Sequence, residues 1–165
     1  MKISVLYVSQ TGNTDTAADY IVDGILANYP FIQVKPMNIH RNELDMDFVR
    51  QSDAVIFGSP VYLAGMSWEL KRWFDQTVRL DLSGKLGAAF VTANDPAGGT
   101  DTAVMDILRN MILKGMLVFS GTGPKGAHKF QAGAVGIASR LDDDAERFEA
   151  FGAGVAEMAV RLFGK

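Results

Sequence analysis

A run of small and polar residues from Ser9 to Thr14 follows the first apolar segment and leads directly into a helical pattern. It supplies three hydroxyls, two side-chain amides and a glycine, Gly12, where the backbone can approach a ligand closely. Free N–H groups and the dipole at a helix N-terminus favour an anion. Because the run contains no Lys or Arg, it differs from the Walker A loop of nucleoside triphosphatases. We therefore predict a site for a single phosphate monoester; the alternative is a cluster that only caps the helix.

Two further loops combine residues suited to a flat, partly apolar ligand. The loop from Gly58 to Ser67 contains a proline, a glycine and the aromatic ring of Tyr62. The loop from Thr92 to Thr100 is polar and ends in a glycine pair. Ligands of an open parallel sheet bind beyond the carboxyl ends of the strands where the strand order reverses, so we expect the three loops to converge. The alternatives are a core position for Tyr62 and a plain strand-to-helix turn capped by Thr100.

The elements that position these loops are apolar, β-branched segments that alternate with helical patterns, as is typical of βαβ units and a parallel sheet. Both alternate positions of each segment are apolar, as in strands that are covered on both faces. The predicted strands are Ile3–Val8, Phe31–Pro36, Ala54–Gly58, Gly87–Thr92 and Met116–Ser120. The predicted fold class is α/β, a three-layer sandwich that forms one domain over residues 1–165, with no internal repeat.

Apolar residues at helical spacing predict five helices between and after these strands. A short second helix is predicted over Asp45–Gln51. The third begins at a Ser67 cap and is expected to bury Val78. The fourth is expected to bury Ile112, and the last is expected to bury Leu162.

The composition restricts the chemistry further. The chain has no cysteine, which excludes thiol nucleophiles, disulfides and Cys-ligated clusters, so redox chemistry needs a borrowed cofactor. A net charge of −3 at pH 7 provides no basic surface for nucleic acid. The first apolar run is too short for a signal peptide or a membrane span, so we expect a cytoplasmic protein with no membrane insertion. His40 has no partner at ligand spacing, so no metal site is predicted.

The loop motifs resemble those of the flavodoxin-like FMN-binding family. The Ser9–Thr14 run looks like the FMN-phosphate loop of that family. The second flavin loop and the following helix of its tryptophan-repressor-binding-protein-like NAD(P)H:quinone oxidoreductase branch resemble Gly58–Tyr62, Gly65–Ser67, Leu70-Lys71 and Phe74-Asp75. The likeness continues through Ala97–Gly99 and Lys114–Met116. It implies a flavodoxin-like sandwich whose five-stranded parallel sheet has the order 2-1-3-4-5, with helices on both faces.

The resemblance also implies non-covalent FMN as the cofactor and NAD(P)H as the reductant. It assigns the phosphate to Ser9, Gln10, Thr11, Gly12, Asn13 and Thr14. The residues that it implies beside the flavin ring system are Pro60, Val61, Tyr62, Leu63, Ala64, Gly65 and Met66, together with Thr92, Ala93, Asn94, Asp95, Gly98 and Gly99. Backbone groups near Ala64-Gly65 are expected to hydrogen-bond the polar flavin edge, and Gly65 to tolerate a peptide orientation that other residues resist.

A glycine-rich stretch from Gly121 to Gly136 interrupts the alternation of strands and helices. Its first residues fit G-x-G-x-x-G, but Pro124 within the motif and the lack of a following striped helix argue against a dinucleotide site. The stretch is interpreted as a lid, an oligomer contact or a plain insertion. Within it, His128 is the candidate catalytic residue, expected to donate a proton to a reduced quinone; the alternative is a solvated loop histidine.

Three functions are consistent with these observations. The first is an FMN enzyme that passes electrons from NAD(P)H to a quinone or a similar small acceptor. The second is a flavodoxin-type electron carrier that docks on redox partner proteins, and the third is a flavin-free sensor or scaffold. Such carriers are typically strongly acidic, so the small net charge favours the enzyme. The resemblance suggests a homodimer or a homotetramer.

Overall fold

A twisted sheet of mainly parallel strands forms the middle layer of the protein. The computed structural model describes residues 1–42, 44–122 and 130–164. The strands are β1 (Lys2–Tyr7), β2 (Gln33–Asn38), β3 (Ala54–Tyr62), β4 (Gly65–Met66), β5 (Leu86–Ala93), β6 (Leu117–Val118) and β7 (Ala134–Ile137). They are ordered β2-β1-β3-β5-β6, while β4 pairs with β3 and β7 pairs with β5. This order confirms the predicted flavodoxin-like sheet.

The fifth position of the sheet is divided between two short strands. Leu117 and Val118 of β6 pair with the first residues of β5, whereas β7 pairs in parallel with Phe90–Ala93 at its other end. The predicted strand Met116–Ser120 is therefore too long, and the glycine-rich stretch contains a strand that was not predicted. The side chain of Thr122 bonds both the N–H and the carbonyl of Phe130, so the two sides of the interruption lie together.

In the described parts of the chain, five helices lie on the two faces of the sheet, and one 3₁₀ turn follows β7. The helices are α1 (Asn13–Asn28), α2 (Met46–Gln51), α3 (Trp68–Gln76), α4 (Thr100–Leu113) and α5 (Ala145–Phe163), and the turn is Ala138–Arg140. Within the part of the chain that the structure describes, no helix is long and apolar enough to cross a membrane.

Two apolar cores result, one on each face. On one face α1 and α5 pack on the sheet around Ile21, Phe90 and Phe148. On the other, α2, α3 and α4 pack around Phe57, which contacts the rings of Trp73 and Phe74. Burial on both faces explains why both alternate positions of the central strands are apolar.

Three helix predictions are wrong at their C-terminal ends. Val78 is 76% exposed because α3 ends at Gln76, before that residue. Ile112 is 62% exposed and Leu162 is 48% exposed, although both lie within helices. Met111 and Phe163 contact the core in the last turns of α4 and α5, and Ile112 and Leu162 lie toward solvent instead.

Strand β3 continues four residues beyond its predicted end at Gly58. Ser59 and Pro60 remain in register with Val91 and Thr92 of β5. The chain then turns back as β4, whose Gly65 and Met66 pair antiparallel with the end of β3. The predicted second loop is therefore largely a β-hairpin that rises from the carboxyl edge of the sheet.

Candidate functional site

A cavity of about 290 Å³ opens at the carboxyl ends of β1, β3 and β5, where the strand order reverses. This is the place at which open parallel sheets bind ligands. Its walls come from all three predicted loops and from the turn after β7. The lining residues are Gln10, Thr11, Asn13, Thr14, Pro60, Val61, Tyr62, Thr92, Ala93, Asn94, Asp95, Gly98 and Ala138.

The first loop brings the N-terminus of α1 to this cavity. The N-cap residue is Gly12, in the left-handed region at φ 101°, and it makes no side-chain cap. Ser9 Oγ accepts the N–H of Asp15 at 3.2 Å, so part of the cluster does cap the helix. Asn13 and Thr14 line the cavity in the first turn, where backbone N–H groups have no partner within the helix. The loop therefore combines partial capping with free donors for an anion.

A buried hydroxyl pair joins the first and third loops. Thr14 Oγ1 and Thr92 Oγ1 are 2.8 Å apart, and both residues are less than a tenth exposed. Buried hydroxyls without a partner are unfavourable, so this contact holds α1 against the end of β5. It fixes the distance between two walls of the cavity.

The hairpin forms the second wall and carries two unusual backbone conformations. Leu63 and Ala64, at its tip, have φ of 47° and 64°, whereas Gly65 is not in the left-handed region. The turn therefore places its left-handed backbone one and two residues before Gly65. The expectation that Gly65 tolerates a peptide orientation that other residues resist stays a prediction. At the hairpin base, Ser59 Oγ accepts the N–H of Ser67 at 2.8 Å.

The third loop contacts the hairpin tip directly. Gly99, the N-cap of α4 at φ 96°, approaches so closely that an added Cβ would lie 2.5 Å from Ala64 Cα. Asp95 Oδ1 accepts the N–H of Ala97 at 2.8 Å, which shapes the turn before α4. The second and third loops are therefore packed together as one unit.

A buried asparagine braces the first loop from behind. Asn38, at the end of β2, is fully buried, and its amide accepts the N–H of Ser9 at 3.2 Å and donates to the Ser9 carbonyl at 3.0 Å. It also donates to Asp15 Oδ1, while Arg41 donates to Asp15 Oδ2 at 2.6 Å. This network locks the backbone just before the helix start.

Few ionisable groups face the cavity. Among the described residues that line it, the titratable side chains are Tyr62 and Asp95. Burial, together with the nearby carboxylate of Glu69, raises the pKa of Tyr62 above its ordinary value, so its phenol is neutral at pH 7. The described residues contain no group of three or more His, Asp or Glu side chains arranged to hold a metal ion.

The structure brings most of the predicted site residues to one cavity. Twelve of them line it, namely Gln10, Thr11, Asn13, Thr14, Pro60, Val61, Tyr62, Thr92, Ala93, Asn94, Asp95 and Gly98. Seven described residues are not among the lining residues, namely Ser9, Gly12, Leu63, Ala64, Gly65, Met66 and Gly99. The eighth, His128, lies outside the described residues. The others sit in the helix cap, the hairpin or the α4 N-cap that supports the walls.

Three residues that line or support the cavity were not predicted from the sequence. Ala138 lines the cavity because β7 delivers a further loop to the same edge; the apolar run Ala134–Ile137 was the available signal. Asn38 and Glu69 act through partners 29 and 59 residues away, and no local pattern reveals such pairs.

Comparison with known proteins identifies the family. The sequence pattern of the NADPH-dependent FMN reductase family matches residues 1–123. A flavodoxin from Clostridium saccharobutylicum is 42% identical over 163 residues, covering 99% of this chain and 100% of that protein. This chain belongs to the flavodoxin-like FMN family.

Two further relatives have lower sequence identity to this chain. An NAD(P)H dehydrogenase (quinone) from Archaeoglobus fulgidus is 29% identical over 188 aligned positions, which cover 98% of both chains. The crystal structure of a flavodoxin, WrbA-like protein from Agrobacterium tumefaciens matches with a TM-score of 0.79 at 20% identity, covering 98% of both chains, which supports the fold.

The cavity of this flavodoxin-like chain has the donor set that FMN requires. Hydroxyls, amides and helix N–H groups without a cation suit a phosphate monoester, and Pro60, Val61 and Tyr62 give the apolar contact that a flavin ring needs. Family membership likewise supports the predicted cofactor, non-covalent FMN. The protein is therefore an FMN redox protein, with an oxidoreductase or electron-transfer role.

Proposed function

We propose that the chain binds one FMN in this cavity and works as a flavodoxin-type electron-transfer protein that exchanges electrons with a redox partner protein. The end-to-end match with the clostridial flavodoxin carries this proposal. The alignment with the quinone dehydrogenase, by contrast, extends over 188 positions, more than the 165 residues of this chain. That relative therefore contains segments that this chain lacks.

The chemistry of the cavity supports the same proposal. Reduction of a quinone to a hydroquinone consumes two protons, whereas passing electrons between proteins needs no dedicated proton donor. The raised pKa of Tyr62 makes its phenol a poor proton donor at pH 7. His128, the predicted proton donor, stays a prediction.

In this proposal each wall has a distinct task. Asn13 and Thr14, with the helix start behind them, hold the phosphate, and Thr11 adds a hydroxyl from the loop. Tyr62 and Asn94 lie on opposite loops and flank the ring system. Bound FMN supplies one- and two-electron redox chemistry, which no side chain of this cysteine-free protein offers.

The second candidate is an FMN-dependent NAD(P)H:quinone oxidoreductase. The family pattern, named for an NADPH-dependent reductase, and the quinone dehydrogenase relatives favour it. The net charge of −3 also favours it, because dedicated carriers are typically more acidic. The predicted dimer or tetramer belongs to this candidate and stays a prediction.

Two assays on one preparation separate the candidates. The purified protein is expected to be yellow and to release FMN on denaturation; a colourless protein that binds no FMN contradicts both. The flavin-loaded protein is then mixed with NADPH or NADH and a soluble quinone, with and without a separate flavodoxin reductase. Turnover that needs the reductase supports the carrier, whereas turnover without it overturns the carrier in favour of the quinone oxidoreductase.

A further inference from the structure

One carboxylate outside the cavity connects the loops that form it. Glu69 lies in the first turn of α3, and its side chain is 14% exposed. Its Oε2 accepts a hydrogen bond from Gln10 Nε2 at 3.1 Å, and its Oε1 lies 2.8 Å from the ring Nδ1 of His40. Each oxygen of this one carboxylate is therefore used by a different loop.

The same contacts continue behind the first loop. The backbone N–H of His40 donates to Asn38 Oδ1 at 3.0 Å, and that amide also holds the backbone of Ser9. Ser9 and Gln10 are consecutive residues, so the path from Ser9 through Asn38, His40 and Glu69 returns to Gln10. The start of the phosphate loop is enclosed by this ring of hydrogen bonds.

Gln10 is the residue of this ring whose side chain must be held in one rotamer to contact a ligand. It lines the cavity but is exposed, and a glutamine side chain loses much rotamer freedom when it is fixed. A side chain that is already ordered before the ligand arrives loses less entropy on binding. One amide N–H is used by Glu69, and the second N–H is left for a ligand.

Stability alone does not account for the Glu69 contacts. The His40 side chain is 43% exposed, and even fully charged pairs at such surfaces contribute little to folding. A carboxylate close to a phosphate site is also electrostatically unfavourable unless its charge is directed elsewhere. In the structure, His40 and Gln10 occupy both Glu69 oxygens, and Glu69 does not line the cavity.

We propose that Glu69, held by His40, is a positioning residue that orders Gln10 for binding of the flavin phosphate. The proposal rests on the proposed function, because it takes FMN to be the occupant of the cavity. Glu69 does not itself line the cavity, so its effect passes through Gln10.

A double-mutant cycle on FMN affinity tests this pathway. The full-length chain, freed of flavin, is titrated with FMN, and quenching of flavin fluorescence is followed for the native protein, Gln10→Ala, Glu69→Ala and the double variant. Glu69→Ala is expected to weaken binding about fivefold, the effect of losing one ordered hydrogen bond. The double variant is expected to bind no more weakly than Gln10→Ala, because Glu69 has nothing left to position.

Two further variants separate positioning from folding. Glu146→Ala removes another acidic residue from the first turn of a helix, α5, and is expected to leave FMN affinity unchanged. Glu69→Gln keeps an acceptor oxygen for Gln10 and is expected to bind within about twofold of the native protein. If Glu69→Ala does not fold, Glu69→Met, which keeps the length of the side chain but has no carboxylate oxygen, takes its place in the cycle with the same expected loss.

The proposal is overturned if Glu69→Ala binds FMN like the native protein, or if the losses of the two single variants multiply in the double variant. It is also overturned if Glu69→Gln binds as weakly as Glu69→Ala. A native protein that binds no FMN would instead refute the proposed function itself, so the two failures are distinguishable.

Discussion

Replacement of Thr14 by valine breaks the hydroxyl contact that joins the first and third loops. Thr14 Oγ1 and Thr92 Oγ1 are 2.8 Å apart, and the two residues are 1% and 3% exposed. Valine has nearly the shape of threonine and a similar helix propensity, so Thr14→Val removes the hydroxyl without opening a large cavity.

The magnitude follows from the group that is left behind. In Thr14→Val the Thr92 hydroxyl stays buried without its partner, which costs about 1–3 kcal/mol of unfolding free energy. Thr92→Val should cost a similar amount for the reciprocal reason. The double variant Thr14→Val/Thr92→Val replaces both hydroxyls, so its loss should stay below about 1 kcal/mol.

Urea unfolding of the flavin-free protein, followed by far-UV circular dichroism, measures these differences in unfolding free energy. In a thermal melt, each loss of 1 kcal/mol should lower Tm by about 2–4 °C. Thr102→Val, at an exposed position of α4, is the matched control and should remain within about 0.5 kcal/mol of the native protein. Single variants as stable as this control, or losses that simply add in the double variant, would refute the reasoning.

Three further predictions concern the supports of the site. Gly99→Ala should lower Tm and weaken FMN binding, because its φ of 96° is strained for alanine and the new Cβ would meet Ala64 at 2.5 Å; unchanged Tm and affinity would contradict this packing. Ser67→Ala should lower the free energy of unfolding in urea by about 1 kcal/mol, since the buried hydroxyl caps α3. A loss below about 0.3 kcal/mol would argue against the cap. Burial and the neighbouring carboxylates of α1 raise the pKa of Asp19, so its ionisation destabilises the folded state as the pH rises. Asp19→Asn should therefore raise Tm at pH 7, and the gain should vanish near pH 3, where the native carboxyl is protonated in both states.

Apolar pattern predicted the central strands well because these strands are buried on both faces. The neighbouring residues Ile56 and Phe57 are both inaccessible to solvent and belong to the cores on opposite faces, so both alternate positions of this strand are apolar. The divided fifth strand could not be predicted in this way. A four-residue run in a glycine-rich segment is ambiguous. Gly136 is in fact a packing position, where an added Cβ would lie 2.7 Å from Phe148.

The site was predictable to the extent that it follows from topology. Loops after parallel strands meet at one edge, and this rule alone predicts that Thr11, Tyr62 and Asn94 line one cavity. The supports of the loops depend on tertiary contacts instead. In the sequence, nothing distinguishes Glu69 from other acidic residues near a helix start, and its hydrogen bond with Gln10 forms only because α3 packs beside the first loop.

In the proposed function, the N-terminus of α1 binds the phosphate of a flavin in this cavity. Titration of the flavin-free protein with FMN and, separately, with riboflavin tests it most directly, because the two ligands differ only in the phosphate. One FMN should bind per chain, at least about tenfold more tightly than riboflavin, and Thr11→Val should weaken FMN by about 1–3 kcal/mol while leaving riboflavin unchanged. Equal affinity for the two flavins, or no binding of either, would contradict the account.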